Sequence, residues 1–211
     1  VMAADHGVCA EGVSAYPAEV TGQMVLNMLE GGAAVNVLAR HAGADVVCVD
    51  VGVNADLSHP NLRARRIRNG TRNMAHGPAL LREEAAQAIE TGIEIVKELH
   101  AEGVRLFGTG DMGIGNTTAS AAMLCAFTGC EPETAVGRGT GIDNEGLQRK
   151  REVVRRALAV NAPDPHDPID VLAKVGGLEI AALAGVIIGA AAMRCPIVID
   201  GFIASAAALA A

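Results

Sequence analysis

Short β-branched runs alternate with longer stretches of helical periodicity from one end of the chain to the other, and that alternation leaves few folds open. Val1 to Ala4, Asp45 to Val49, Val104 to Phe107 and Pro196 to Ile199 read as strands. Helical patterns cover Pro17 to Leu29, Ala33 to Ala42, Arg82 to Glu102, Asn116 to Phe127, Asp143 to Val160, Pro168 to Val175, Leu178 to Arg194 and Phe202 to Ala210. Strands separated by helices predict an α/β protein: an open, mainly parallel sheet with crossover helices on both faces, Rossmann-like, plus a partly helical second region. Three strands run at once into an acid or a glycine turn, at Asp5-His6-Gly7, Asp50-Val51-Gly52 and Asp200-Gly201. The fourth leads into Gly110-Asp111-Met112-Gly113-Ile114-Gly115-Asn116-Thr117-Thr118. In an open parallel sheet the carboxyl ends of the strands border the ligand crevice, so the polar residues gather where a site belongs.

Residues 1–211 are expected to form one α/β domain. The abrupt opening on Val1-Met2-Ala3-Ala4-Asp5 and the stop inside Ala206 to Ala211 suggest the central part of a longer protein. Asn54 to Gly77, rich in Arg, Asn and Gly, is expected as a surface excursion or an oligomer contact, and Pro163 to Pro168 as a stiff turn between helices. Half the residues are hydrophobic but only 2% are aromatic, and there are 25 glycines, so the core must come from Ala, Val, Leu and Ile at close backbone approach.

A formal net charge of −7 works against a protein that tracks a nucleic-acid backbone, which needs a surplus of Lys and Arg. One Tyr and three Phe supply no stacking platform for bases. Five cysteines without a C-x-x-C pair fit a reducing compartment, and no secretory signal is visible, so a cytoplasmic location is expected. The most apolar stretch, the 14 residues Ile180 to Met193, is shorter than the roughly 20 needed to span a bilayer. No metal is expected: His6, His41, His59, His76, His100 and His166 are scattered without zinc spacing, and His6 reads as a turn residue beside the site.

A glycine loop that leaves a strand and opens a helix converges backbone N–H groups and the helix dipole on an anion. The Gly110 to Thr118 loop lacks the lysine of the Walker pattern, since Asn116 precedes Thr117, and this argues for a monophosphate. Three further glycine motifs stand out: Glu11-Gly12-Val13-Ser14-Ala15-Tyr16-Pro17, Gly137-Arg138-Gly139-Thr140-Gly141 and Lys174-Val175-Gly176-Gly177-Leu178-Glu179. Each is open to a bland reading as turn chemistry. Lys150, in the helix after the second of these, is placed either to reach back to a phosphate or to sit on a solvated face among Arg149, Arg151, Arg155 and Arg156.

Ala4-Asp5-His6-Gly7-Val8, Glu11 to Pro17 with Thr21, Gln23, Met24 and Val25, Gly31 to Arg40, Met112 to Thr118, Gly137 to Gly141 and Asp200-Gly201-Phe202 occur in one order along the chain. Together they resemble the nicotinate-nucleotide:dimethylbenzimidazole phosphoribosyltransferases of cobalamin nucleotide-loop assembly. The resemblance implies transfer of phosphoribose from nicotinate mononucleotide to a benzimidazole nitrogen, giving α-ribazole 5′-phosphate and nicotinate, by a homodimer without a cofactor. It further implies that Gly113, Gly115, Asn116 and Thr117 cradle the 5′-phosphate. Gly139, Thr140, Gly141 and Lys150 would complete the phosphoribosyl site, and Asp200 and Gly201 would border the nucleotide. Ser14, Tyr16 and Gln23 would lie near the base, and Asp111 would stabilise the sugar cation.

Two departures from the family pattern stand out: Asp111 replaces a glutamate, and the chain stops before the Gly-Glu-Gly-Thr-Gly motif whose glutamate is the family's general base. Two alternatives remain open at this level. One is a Mg-dependent phosphoribosyltransferase using a pyrophosphorylated ribose donor; the other is a non-catalytic nucleotide-binding module.

Overall fold

The computed structural model describes residues 1–211, with six strands and nine α-helices. The strands are β1 (Met2–Ala4), β2 (Cys48–Gly52), β3 (Leu62–Ala64), β4 (Phe107–Gly108), β5 (Asp111–Met112) and β6 (Ile197–Val198). The helices are α1 (Val20–Leu29), α2 (Ala34–Ala42), α3 (Arg82–Ala101), α4 (Asn116–Thr128), α5 (Pro132–Ala135), α6 (Asn144–Asn161), α7 (Pro168–Val175), α8 (Leu178–Ala192) and α9 (Gly201–Ala210).

Every strand pairing is parallel, in the order β3-β2-β1-β5 with a separate β4-β6 pair. The two pieces share the continuous segment Phe107–Met112, whose first half pairs with β6 and whose second half pairs with β1. The Thr109 N–H donates to the Val198 carbonyl at 3.0 Å and the Met2 N–H to the Gly110 carbonyl at 3.0 Å, so the segment changes neighbours between those two residues. It lies between β1 and β6 and delivers the glycine loop to the middle of the molecule.

Several expected boundaries move, each for a local reason. Val104 and Arg105, expected in a strand, instead finish α3: the Val104 N–H donates to Leu99 O and Arg105 Nη1 to His100 O. Asp50 lies within β2 rather than after it, its Oδ1 accepting from Gly52 and Val53 N–H and its Oδ2 from Arg66, so this acid holds the strand end. Pro17 stays outside α1, because the Val20 and Thr21 N–H groups close turns onto Pro17 and Ala18 before the helix begins. Residues 54–77, expected as a surface excursion, carry edge strand β3 and the buried Thr71, Met74 and Ala75. Arg63 and Arg65 of that segment pair with Glu98 on α3.

The core is aliphatic and small, as composition requires. α8 is buried along most of its length and lies against α3 so closely that a Cβ on Gly185 would strike the Ile89 backbone. Helices approaching at backbone contact bury area without large side chains, which is how a chain with almost no aromatics reaches interior packing density. No helix is long and apolar enough to cross a membrane.

Candidate functional site

The carboxyl ends of β1 and β5 open onto a cluster assembled from distant parts of the chain. Leaving β5, the chain passes Gly113 and Ile114 and enters α4 through Gly115, whose φ of 95° is a left-handed conformation that L side chains rarely adopt. A Cβ there would also lie 2.7 Å from Cys9 Sγ. The turn is pinned on both sides of Ile114: its N–H donates to Thr21 Oγ1 at 3.1 Å and its carbonyl accepts from Cys9 Sγ at 3.0 Å. The Asn116 and Thr118 N–H groups fold back onto Gly113 and Gly115, while those of Gly115 and Thr117 have no backbone partner. Free donors at a helix N-terminus suit an anion.

Lys150, on α6, sits at this helix start with only 1% of its surface exposed. Its Nζ donates to Thr117 Oγ1 at 2.7 Å, and no carboxylate lies within ion-pair distance; burial alone pulls the ammonium down to about 8. Gly139 closes the cluster: with φ of 52°, its Cβ would lie 2.8 Å from Thr117 Oγ1 and 2.9 Å from Lys150 Nζ. Of the two readings open for Lys150, the solvated face is therefore excluded. Next to it, Thr140 Oγ1 meets Ser14 Oγ at 3.1 Å and accepts from Ala15 N–H at 2.8 Å, which ties the Gly137 to Gly141 loop to the Ser14 to Pro17 stretch.

Asp111 is half-buried beside the loop. Its Oδ2 accepts from Asn116 Nδ2 at 2.7 Å, so the asparagine side chain holds the carboxylate rather than pointing to an anion. Burial first, then the charge of Glu179, pushes the Asp111 carboxyl up to about 6. Below it, His6 Nε2 meets Glu179 Oε1 at 2.5 Å, with both side chains at most 1% exposed. Neither the pair nor the contacts of Cys9 and Thr21 could be read from spacing. His6 and Glu179 stand in glycine motifs 173 residues apart, and their pairing exists only once α8 docks on β1.

The remaining expected residues divide. Tyr16 is exposed, its N–H donating to Ser14 Oγ, and Gln23 is exposed on α1. Gly141 has open space around its Cα. Asp200 and Gly201 start α9 at the end of β6, where the Asp200 N–H donates to Thr109 Oγ1 at 3.2 Å; their contacts run to that segment and not to Lys150. A cavity of about 340 Å³ opens at the end of β1, bordered by Asp5, His6, Cys9, Glu19, Asn54 and Thr71. Another of about 260 Å³, beside Met28, Asn36 and Arg40, lies at the start of β2, away from the chemistry-bearing groups. No group of three or more His, Cys, Asp or Glu side chains is arranged to hold a metal ion.

A family model described as phosphoribosyltransferase matches residues 1–211. A nicotinate-nucleotide–dimethylbenzimidazole phosphoribosyltransferase from Geobacter metallireducens is 58% identical over 209 residues, covering 99% of this chain and 59% of the relative. One from Chloroflexus aggregans is 60% identical over 210 residues, covering 99% and 60%. The crystal structure of CobT from Thermus thermophilus superposes with a TM-score of 0.95 at 52% identity, covering 99% of this chain and 63% of that one. The chain thus spans about 60% of the length of the curated relatives it matches. With a family model matched from end to end and relatives of this identity, the chain belongs to the nicotinate-nucleotide–dimethylbenzimidazole phosphoribosyltransferase family.

Proposed function

We propose that this chain carries the phosphoribosyl half of an enzyme that transfers phosphoribose from nicotinate mononucleotide to 5,6-dimethylbenzimidazole or a related base, releasing nicotinate and α-ribazole 5′-phosphate in cobalamin biosynthesis. The observation that carries the reading is Lys150: a buried ammonium without a carboxylate, hydrogen-bonded to Thr117 at a helix start with free N–H donors. Such a charge is costly to bury unless an anion compensates it. A monophosphate supplies that anion, held by Lys150, Thr117 and the N–H groups of Gly113, Gly115 and Thr117, with Gly139 leaving room.

Anchoring the phosphate orients the ribose, and orientation supplies a large part of the rate enhancement in a two-substrate transfer. Departure of nicotinate relieves the positive charge of its pyridinium and builds oxocarbenium character on the sugar. Asp111, oriented by Asn116, is the local carboxylate for that charge. Gly141, Asp200 and Gly201 then border the ribose, and Ser14, Tyr16 and Gln23 the incoming base. The acceptor's proton needs a general base. Glu11 is engaged by Asn73, His76 and Arg156, and Glu179 by His6, so neither serves. The family resemblance puts that base in a segment this chain does not span. It also carries the proposal of a homodimer, which sedimentation would test, and of a cytoplasmic location, which fractionation would test.

Calorimetry with nicotinate mononucleotide tests the site: the 211-residue chain binds it, EDTA leaves the affinity unchanged, and Lys150→Ala abolishes binding. Affinity that survives Lys150→Ala overturns the reading. Binding abolished by chelator favours the Mg-dependent donor. Joined to the C-terminal segment of a relative, the chain should form α-ribazole 5′-phosphate; binding without turnover there favours a non-catalytic module.

A further inference from the structure

The buried His6–Glu179 pair is given no part in the phosphoribosyl site proposed above, yet it is an expensive feature to place in a core. Removing two charges from water costs several kcal/mol per ion in order of magnitude, and well-packed apolar residues often do as well or better for stability. Its location suggests a different use. His6 is the second residue past β1, and Glu179 stands in the first turn of α8, where the helix dipole favours a carboxylate. Because β1 and β5 run in register, Met2 beside Asp111 and Ala3 beside Met112, the end of β1 brings His6 up against the residue that follows β5. That residue is Gly113, whose Cβ would lie 2.5 Å from Ala4 O, 2.9 Å from Glu179 Oε1 and 3.3 Å from His6 Cδ2. On the far side, Gly177 would strike the imidazole and come within 2.9 Å of Glu179 Oε2. The pair is clamped between two glycines, and the turn linking Asp111 to the phosphate-binding helix rests on it.

We infer that the His6–Glu179 pair is a positioning device for Asp111: it supports the Gly113 turn from below and sets the charge of the neighbouring carboxylate. This inference rests on the site proposed above. Four elements face the pair. The extension of β1 brings Asp5; the 3-10 turn Gly7–Glu11 brings Cys9, with Glu19 behind it; β5 brings Asp111, on whose other side lies the Val1 amino group; α8 brings Glu179 itself. Glu179 Oε2 has no hydrogen-bond partner, so its charge is incompletely compensated by His6. On His6, burial acts to lower the imidazole, but Glu179 with Asp5 and Asp111 outweighs it and lifts the group above its ordinary value. On Asp111, burial and then Glu179 raise the carboxyl, while the pull of His6 is the weakest of the influences acting on it.

The test uses the 211-residue chain and two variants, Glu179→Gln and Glu179→Ala. Circular dichroism establishes that each is folded. The ¹³C carboxyl resonance of Asp111, identified by its loss in Asp111→Asn, is titrated with pH, and the dissociation constant for nicotinate mononucleotide is measured at pH 7. In the parent chain Asp111 titrates at about 6. In Glu179→Gln the amide still accepts from His6 but the charge is gone, so the Asp111 midpoint moves down while nucleotide affinity falls less than about threefold. In Glu179→Ala the support is gone as well, and affinity falls by about tenfold or more. An unmoved Asp111 midpoint in folded Glu179→Gln overturns the charge-setting role, and equal affinities of the two variants overturn the supporting one. If Glu179→Ala does not fold, the Glu179→Gln titration alone decides. Should the parent chain not bind nucleotide at all, the substrate reading fails while the Asp111 titration still tests the pair.

Discussion

Lys150 offers the sharpest handle on the proposed site, because its burial would make phosphate binding there a proton-linked event. The free ammonium sits at about 8 instead of 10.5, held down by desolvation with nothing opposite to compensate it. At about 1.4 kcal/mol per unit, that depression amounts to about 3 kcal/mol against the charged form. A bound phosphate dianion restores the compensation and returns the group to its ordinary range. At pH 9 the free chain carries a neutral Lys150 in about nine molecules of ten, so binding takes up about 0.9 proton; at pH 7 it takes up about 0.1.

Calorimetry of nicotinate mononucleotide at pH 9, in buffers of different ionisation enthalpy, reads that number as a slope. Affinity weakens about 30-fold between pH 7 and pH 9.5 for the same reason. Stability moves the other way. The unfolded chain holds this proton more tightly than the folded one, so the ligand-free protein gains stability as pH rises from about 8 to 10.5. Lys150→Met separates the two effects: it removes the buried charge and is expected to stabilise the fold by about 1–3 kcal/mol while binding is lost. A proton slope near zero at pH 9 with intact binding, or a Lys150→Met chain that melts earlier and binds normally, refutes the assignment.

Three further outcomes follow from packing and capping. Gly185→Ala drives a methyl into the Ile89 backbone across the α3–α8 contact and should cost about 3 kcal/mol in urea denaturation, since neither helix can retreat without opening the core. Asp50→Ala removes the acceptor for the Gly52 and Val53 N–H groups at the end of β2 and the carboxylate partner of Arg66, with an expected loss of about 2 kcal/mol in the same assay. Asp143→Ala deletes the N-cap that accepts from Gly146 N–H at 2.8 Å, an expected loss of about 1 kcal/mol seen as a melting point a few degrees lower.

Legibility in the sequence followed the range of the interactions involved. α7 was readable to the residue because its signals are local: Asp167 caps it, Pro168 opens it and Gly176 ends it. α4 and α6 were nearly as plain, for Gly115, Gly129 and Asp143 mark their ends. β3 escaped because Leu62-Arg63-Ala64 has no alternation of its own; it is a strand only because β2 has a free edge and α3 supplies Glu98 and Glu102 for its arginine. β5 hid inside the glycine loop for a similar reason, since two residues become a strand when β1 lies alongside. In the site, the residues within one loop were foreseeable and the partnerships between loops were not. The bond from the Asn116 amide to Asp111 was not among the expectations; it depends on the φ of Gly115 and on the way α4 leaves β5.

The two glycine loops are also more tightly coupled than their separation suggests. Thr117 opens one helix, Gly139 lies in a loop past its end, and Lys150 stands two turns into another helix; none is informative alone. Their mutual distances convert them into one object. Gly139 must lack a side chain because Lys150 Nζ and Thr117 Oγ1 occupy the space a Cβ would take, and Lys150 reaches Thr117 only because α6 packs against α4 with its lysine turned inward. Replacing Gly139 by alanine therefore tests the cluster as a unit. The methyl leaves Lys150 chemically intact but displaces its ammonium from Thr117, and the φ of 52° adds strain of about 1 kcal/mol. If the three residues form one phosphate site, Gly139→Ala loses nicotinate mononucleotide affinity nearly as fully as Lys150→Ala does, and the double variant is no worse than either single one. Additive losses would mean that the loops bind independently.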